Sequence, residues 1–171
     1  MTTHPFPTGT TSTACRERRR VHPATRRRLH LVDLDNLIGG PGFRDRVVPT
    51  LGAFRGVAEL ADGDHLVIAA ERTLAAEVAF DLPDSARLIV ATGPDGADRR
   101  LVEDYPAAFV ADRYDALVIG SGDGRFAALA AEVGRLGIPV IVVGCPRWTA
   151  KRLRMAAAQY RPLAPVLRAV A

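Results

Sequence analysis

Cysteine, lysine and long apolar runs are all scarce in this 171-residue chain, and each scarcity excludes a class of protein. Cys15 and Cys145 are the two cysteines, and they lie too far apart to suggest a disulfide framework or a cysteine-based metal site. No apolar stretch reaches the roughly 20 residues that cross a bilayer. The basic start of the chain also lacks a signal-peptide pattern. These features favour one compact cytoplasmic domain with no membrane partner.

The chain is rich in arginine, and its charge is segregated along the sequence. The net charge of +4 combines a basic start, an acidic centre and a basic end. Residues 1–28 and residues 145–171 each carry +6, which leaves −8 for residues 29–144. An acidic centre between basic ends is typical of a metal site flanked by surfaces that bind a polyanion. Basic tails that are simply solvated would produce the same composition.

The patterning divides the chain into a disordered basic arm at 1–28, an α/β domain at 29–163 and a C-terminal tail at 164–171. Within the domain, short runs rich in Val, Ile and Leu alternate with helical patterns, which predicts a five-stranded parallel sheet with helices on both faces. The predicted strands are 29–34, 65–70, 86–91, 115–120 and 138–143. The predicted helices are 45–61, 72–80, 98–110, 124–136 and 147–159.

Three short acidic motifs follow three of the predicted strands and are the most informative part of the sequence. They are Asp33–Asn36, then Gly96–Asp98 with Asp104 six residues later, and Ser121–Gly124. In an open parallel sheet the ligand site lies outside the carboxyl ends of the strands, so these carboxylates are expected to converge at one edge. Clustered carboxylates repel one another unless a cation lies between them, and hard oxygen ligands favour Mg²⁺ or Mn²⁺.

Each motif taken alone also has a purely structural explanation. Asp33 and Asp123 can cap the loop or helix that follows them. Asp98 lies near a predicted helix start, where the helix dipole stabilises an acid, and Asp104 is typical of a surface residue on the same helix. The metal-site hypothesis therefore depends on the combination of motifs.

Together these motifs resemble the NYN domain, a branch of the PIN-like nuclease superfamily. The similar segments lie within residues 29–145 and are Val32–Leu37, Gly96–Asp98 with Asp104, Tyr114–Phe126 and Leu136–Gly144. The most specific part is the Ser-Gly-Asp-x-x-Phe turn followed by a Gly-x-x-Val strand. The resemblance implies a flavodoxin-like, three-layer α/β/α fold and a metal-dependent endoribonuclease that hydrolyses RNA phosphodiester bonds.

The resemblance also implies which residues form the site. The implied catalytic residues are Asp33, Asn36, Asp98, Ser121 and Asp123. The implied ligands of Mg²⁺ or Mn²⁺ are Asp33, Asp98, Asp104 and Asp123. One position departs from the family pattern: Arg125 stands two residues after the turn aspartate, where the family usually has a second acid.

A tryptophan among basic residues near the C-terminus predicts an RNA-binding surface. Trp148 can stack a nucleobase while neighbouring basic side chains contact phosphates. The basic residues are Arg147, Lys151, Arg152 and Arg154. A tryptophan buried at the start of a helix is the structural alternative.

Two other functions are compatible with the sequence. A catalytically degenerate RNA-binding or regulatory module would explain Arg125. A phosphatase of the haloacid-dehalogenase type is suggested by Asp33-x-Asp35 and Gly122-Asp123, but it requires a lysine between those motifs. The only lysine is Lys151, beyond both. A homo-oligomer is compatible with either of the RNA-related functions.

Overall fold

A six-stranded parallel sheet forms the centre of the computed structural model, which describes residues 27–40, 42–93 and 96–166. The strands are β1 (Arg28–Asp33), β2 (His65–Glu71), β3 (Ala86–Ala91), β4 (Ala116–Gly120), β5 (Val140–Gly144) and β6 (Gln159–Pro162). Their order across the sheet is β3-β2-β1-β4-β5-β6, and all neighbours are parallel. From β1 the next strands, β2 and β3, extend toward one edge of the sheet, and from β4 the strands β5 and β6 extend toward the other. The carboxyl ends of β1 and β4 mark the switch point where such sheets bind ligands.

Helices cover both faces of the sheet, which makes the architecture three-layered as predicted. They are α1 (Leu34–Ile38), α2 (Val47–Ala58), α3 (Arg72–Val78), α4 (Gly96–Asp104), α5 (Ala107–Arg113), α6 (Phe126–Arg135) and α7 (Lys151–Ala156), with a 3₁₀ turn at Arg44–Arg46. None of the helices in the described ranges has the length and hydropathy of a membrane span.

Alternating side chains of the central strands supply two hydrophobic cores. In β4, Leu117 and Ile119 pack on the face covered by α4, α5, α6 and α7, whereas Val118 packs on the face covered by α2 and α3. Phe54 of α2 and Phe126 of α6 are the largest fully buried side chains, one in each core. Because both faces are buried, the strands form the continuous apolar runs that made them recognisable in the sequence.

The prediction of five strands is wrong by one strand. β6 begins at Gln159, the last residue of the predicted helix 147–159, and α7 covers only the middle of that range. The alanine-rich segment before Gln159 has high helix propensity, but pairing with β5 aligns Tyr160 with Val142 and extends the sheet instead. β6 is a partly exposed edge strand without a continuous apolar run, so tertiary pairing decides its conformation.

Other boundaries also differ from the prediction. The predicted helix 98–110 is interrupted at Pro106, which stands before α5 with φ −63° and cannot donate a helical hydrogen bond. The sequence patterning did not predict α1, which follows β1 directly. β1 begins at Arg28, the last residue of the predicted arm, and residues 1–26 of that arm lie outside the described residues.

A buried charge network closes the amino end of β1, opposite the switch point. His30 is fully buried, and its Nε2 lies 3.0 Å from Oδ2 of Asp64. Arg28 Nη2 lies 2.7 Å from the same oxygen. Burial lowers the pKa of His30 to about 4, although the hydrogen bond to Asp64 opposes this effect. Within the described ranges, His30 Nδ1 has no hydrogen-bond partner, so protonation would bury an unsatisfied N–H group.

We expect the stability penalty of His30→Gln to shrink as the pH falls from about 7 to about 4. The unfolded chain protonates His30 below its ordinary pKa of 6.5, whereas the folded protein does so only below about 4. The wild type therefore loses stability from this group on acidification, by up to about 3 kcal/mol, and the glutamine variant does not. Denaturant unfolding of both proteins at three pH values measures the difference between their free energies of unfolding. Titrating groups that the two proteins share cancel in this difference. A penalty that is constant with pH would contradict the neutral, buried state of His30.

Candidate active site

A cleft of about 590 Å³ lies at the carboxyl edge of the sheet, beside the switch point between β1 and β4. Among the described residues, the acidic side chains that line it are Asp33, Asp35, Glu71, Asp98 and Asp123. They come from the ends of β1 and β2, from α1, from the start of α4 and from the turn after β4. The expected convergence of Asp33, Asp98 and Asp123 on one edge is therefore present.

Asp33 ends β1 and is only 5% exposed. Its Oδ1 accepts a hydrogen bond from the backbone N–H of Asn36 at 3.3 Å, so it caps α1. Its Oδ2 accepts a hydrogen bond from the hydroxyl of Ser121 at 3.3 Å. Burial raises the pKa of Asp33 to about 7, with further contributions from the charges of Asp35 and Asp98. A negative charge at this position is thus unfavourable in the protein alone.

The turn Ser121–Gly124 is tied to the β1 end by hydrogen bonds. The buried Ser121 Oγ accepts from the N–H of Asp123 at 3.0 Å while donating to Asp33. The N–H of Gly122 donates to Oδ1 of Asn36 at 2.7 Å, which orients the amide of that side chain. Asn36 and Ser121 therefore join the first and third sequence motifs into one structural unit.

Arg125 pairs with the carboxylate of the second motif. Its Nη1 lies 3.2 Å from Oδ2 of Asp98, whose side chain is 4% exposed. The guanidinium side is about half exposed, so the ion pair lies at the boundary between the buried carboxylate and solvent. The backbone N–H of Arg125 donates to Oδ1 of Asp123 at 2.9 Å. The residue that departs from the family pattern is therefore part of the site.

Asp104 is not brought into the cleft. It lies at the last position of α4, where it forms an ion pair with Arg100 at 3.0 Å one helical turn away. Its predicted role as a ligand therefore lacks support from the cleft geometry, and the surface ion pair accounts for its position.

Two acidic residues of the cleft were not predicted as site residues. Oδ2 of Asp35 accepts a hydrogen bond from the N–H of Glu71 at 2.8 Å, and burial raises the pKa of Asp35. Its Oδ1 is buried and lacks a hydrogen-bond partner within the described ranges. Glu71 ends β2 just as Asp33 ends β1, so the pattern that identified Asp33 would also have identified Glu71.

Trp148 lies in the turn between β5 and α7, at the wall of the cleft. The residue is 36% exposed, and its Nε1–H donates to the backbone oxygen of Asn36 at 3.2 Å. A Cβ atom on Gly122 would lie 3.0 Å from Cα of Thr149 and 3.1 Å from the Trp148 ring. Glycine at position 122 therefore permits the close contact between the acidic turn and the tryptophan segment.

The predicted basic surface is only partly assembled around the cleft. Nε of Arg152 donates to the backbone oxygen of Gly124 at 2.9 Å, which places this residue beside the acidic turn. Arg154 instead lies over the ring of Tyr160, 4.6 Å from its centroid. Arg147 and Lys151 have exposed side chains, and Arg147 lies before α7 rather than in the helix predicted at 147–159.

The donor set has the chemistry that a divalent cation requires. Carboxylate oxygens whose ionised form is disfavoured by burial and by neighbouring carboxylates, as at Asp33, suit Mg²⁺ or Mn²⁺. In the described ranges, no group of three or more His, Cys, Asp or Glu side chains is arranged as a ready metal centre. The residues fit such a cation chemically, and its ligands would include carboxylates that also contact protein groups.

Comparison with protein families identifies the domain. The model of the NYN domain matches residues 69–164, which is more than half of the chain. The chain belongs to the NYN domain family. The matched part of the NYN domain contains Asp98, Ser121, Asp123 and Trp148, and it begins after the Asp33–Asn36 motif.

A solved structure supports the fold of this NYN domain. The crystal structure of a protein of unknown function from Vibrio parahaemolyticus is similar over 81% of this chain and 93% of that chain. The TM-score is 0.58 and the sequence identity is 20%, so the likeness concerns the fold alone. A comparison with curated proteins finds no match.

We expect Asp33→Asn to stabilise the metal-free protein by about 2 kcal/mol at pH 8. The substitution removes a buried charge whose pKa is raised to about 7, and asparagine is an equally good helix cap. Denaturant unfolding in a chelator measures the effect. Asp112→Asn is the matched control, because its side chain is 82% exposed and its loss should change stability by less than about 0.5 kcal/mol. Destabilisation by Asp33→Asn alone would contradict the unfavourable charge.

Proposed function

We propose that this NYN domain protein is a metal-dependent endoribonuclease that hydrolyses RNA phosphodiester bonds in the cleft at the carboxyl edge of its sheet. The observation that carries this proposal is that Asp33, Asp98 and Asp123, which come from separate segments, line one cleft at the switch point. Membership in the NYN family supports a nuclease and an RNA substrate.

In this proposal Asp33, Asp98 and Asp123 hold Mg²⁺ or Mn²⁺. The ion would supply Lewis-acid polarisation of the phosphate and would lower the pKa of the attacking water. Its positive charge would also stabilise the ionised form of Asp33, whose pKa is raised by burial and further by the charges of Asp35 and Asp98. The carboxylates would therefore provide the negative charge that attracts the cation, and the surrounding protein groups would hold these carboxylates in position.

Ser121 and Asn36 act by orientation. The hydroxyl of Ser121 holds one oxygen of Asp33, and the helix cap holds the other, so this carboxylate has a defined direction. Because the Asn36 side-chain oxygen accepts from Gly122, its amide nitrogen is the group that can donate to a phosphate oxygen. Gly39 and Gly40 form part of the cleft wall without side chains, which lets an RNA backbone approach closely.

Trp148 and the basic residues after it would bind the substrate strand. The partly exposed ring at the cleft wall offers a surface on which an unpaired base can stack. Phosphates on either side would contact the basic side chains of residues 147–154, of which Arg152 is the nearest to the acidic turn. The basic arm at residues 1–26 would add contacts without much sequence preference.

A second candidate function is a non-catalytic RNA-binding module, favoured by the ion pair between Arg125 and Asp98. In such a module the guanidinium would take the place of the cation permanently. Titration with Mn²⁺ separates the two functions, because only the enzyme needs to bind the ion.

We expect Asp33→Asn and Asp123→Asn each to reduce RNA cleavage by at least about 100-fold, because each removes a carboxylate from a metal site worth several kcal/mol to the transition state. Single-stranded and structured RNA are incubated with the protein and Mn²⁺, and the products are separated on a gel.

Circular dichroism of both variants should match that of the wild type, and Asp112→Asn should retain full activity because the residue is outside the cleft. Unchanged cleavage in both cleft variants would refute their role. A wild type that binds RNA without cleaving it would favour the non-catalytic module.

We expect Trp148→Ala to weaken the binding of single-stranded RNA by about 5- to 100-fold, as for the loss of one stacked base. Trp148→Phe should retain most of the affinity, because it keeps an aromatic face and loses only the hydrogen bond to Asn36. Fluorescence anisotropy with a labelled oligonucleotide measures both variants. Equal losses in the two variants would assign Trp148 a structural role through that hydrogen bond.

A further inference from the structure

Arg125 contacts two of the three proposed metal ligands. Its guanidinium lies 3.2 Å from Asp98, and its backbone N–H donates to Asp123. It stands at the residue before α6, so its backbone is anchored in the turn that carries the acidic motif. The long side chain spans from this turn to the start of α4.

The ion pair with Asp98 joins a buried carboxylate to a guanidinium that is about half exposed. The exposed end of the guanidinium weakens the attraction, whereas the buried Asp98 carboxylate needs a compensating charge at all times, so a divalent cation is a suitable replacement for the guanidinium. A divalent ion that takes Asp98 Oδ2 would compete with Nη1 for the same oxygen. Arginine stays protonated at all accessible pH values, so the displaced side chain remains a cation near the cleft.

The released guanidinium would have a ready partner in the substrate. A phosphodiester is the anion that the cleft is proposed to accept, and a planar guanidinium binds phosphate oxygens in a bidentate manner. The short distance from the Arg125 backbone to Asp123 keeps the side chain within reach of that phosphate. Arg125 can thus move from the Asp98 carboxylate to an RNA phosphate when a cation and RNA bind in the cleft.

We propose that Arg125 couples metal binding to RNA binding in this protein. Its guanidinium neutralises Asp98 until a divalent cation takes that carboxylate, and it then binds a phosphate of the RNA strand. The inference rests on the proposed metal-dependent RNA site. Because coupling between two ligands is reciprocal, Mn²⁺ should tighten RNA binding and RNA should tighten Mn²⁺ binding by the same factor.

The test compares wild type with Arg125→Gln, which retains a polar hydrogen-bonding side chain but removes the charge and shortens the reach. Arg99→Gln is the matched control, since Arg99 lies on α4 beside Asp98 but pairs with Glu103 on the exposed surface. Calorimetric titration gives the Mn²⁺ affinity without RNA. Anisotropy gives the affinity for a 2′-O-methyl oligonucleotide, with and without Mn²⁺ at equal ionic strength, and a gel verifies that the probe stays intact.

Without RNA, Arg125→Gln should bind Mn²⁺ about three- to tenfold more tightly than wild type, because the competing cation is gone. Adding Mn²⁺ should raise the oligonucleotide affinity of wild type about tenfold, and that of Arg125→Gln only about twofold. Arg99→Gln should behave as wild type in both measurements.

Three results would overturn the inference. Equal Mn²⁺ affinity in wild type and Arg125→Gln would mean that the ion pair does not compete with the metal. Tighter Mn²⁺ binding with unchanged coupling would mean that the guanidinium does not take the phosphate. Mn²⁺ binding by Arg125→Gln but not by wild type would mean that Arg125 blocks the site permanently. If wild type binds Mn²⁺ and cleaves RNA while Arg125→Gln matches it, the proposed function stands and only this inference fails.

Discussion

The hydrogen bond that the Ser121 hydroxyl donates to Asp33 joins the two central strands of the sheet at their carboxyl ends. It forms at the switch point, where the chain's two halves diverge and a cleft must open. A second hydrogen bond, from the N–H of Gly122 to the side chain of Asn36, reinforces this junction. Trp148 donates a third, to the backbone oxygen of Asn36. Ser121 thus hydrogen-bonds to two of the three proposed ligands, Asp33 and Asp123, so their relative position depends on this junction.

The two ends of β1 treat buried charge in opposite ways. At the amino end, Arg28 forms an ion pair with Asp64, and burial keeps His30 neutral. At the carboxyl end, the oxygens of Asp33 accept hydrogen bonds from a backbone N–H and a hydroxyl, while burial and then the charges of Asp35 and Asp98 raise its pKa. The first arrangement favours the folded protein, whereas the second makes a bound cation favourable. A strand that is uniformly apolar in its middle thus separates a structural end from a proposed functional end.

The strands β1 to β5 could be predicted because each contains a short run of Val, Ile, Leu or Ala, which in the central strands is buried on both faces of the sheet and in the edge strand β3 is buried on one. β6 could not, since its residues are partly exposed and its strand geometry exists only through pairing with β5. The division of the predicted helix 98–110 was accessible from the sequence, because Pro106 stands within it. Glu71 was equally accessible from its position at the end of β2, whereas the burial of Asp35 required knowledge of the packed cleft.

The sequence by itself determined the three acidic motifs, their position after strands and the family to which the domain belongs, because these depend on local patterns of residue type. Only the tertiary structure decided which acids share a cleft, since contacts between β1, α4 and the turn after β4 join residues far apart in the chain. It placed Asp104 on the surface of α4, where it pairs with Arg100. It also placed Arg125 against Asp98. Spacing along one helix accounts for the pair of Arg100 and Asp104, which are four residues apart in α4. It cannot predict the pair of Arg125 and Asp98, which depends on how α4 packs against the turn after β4.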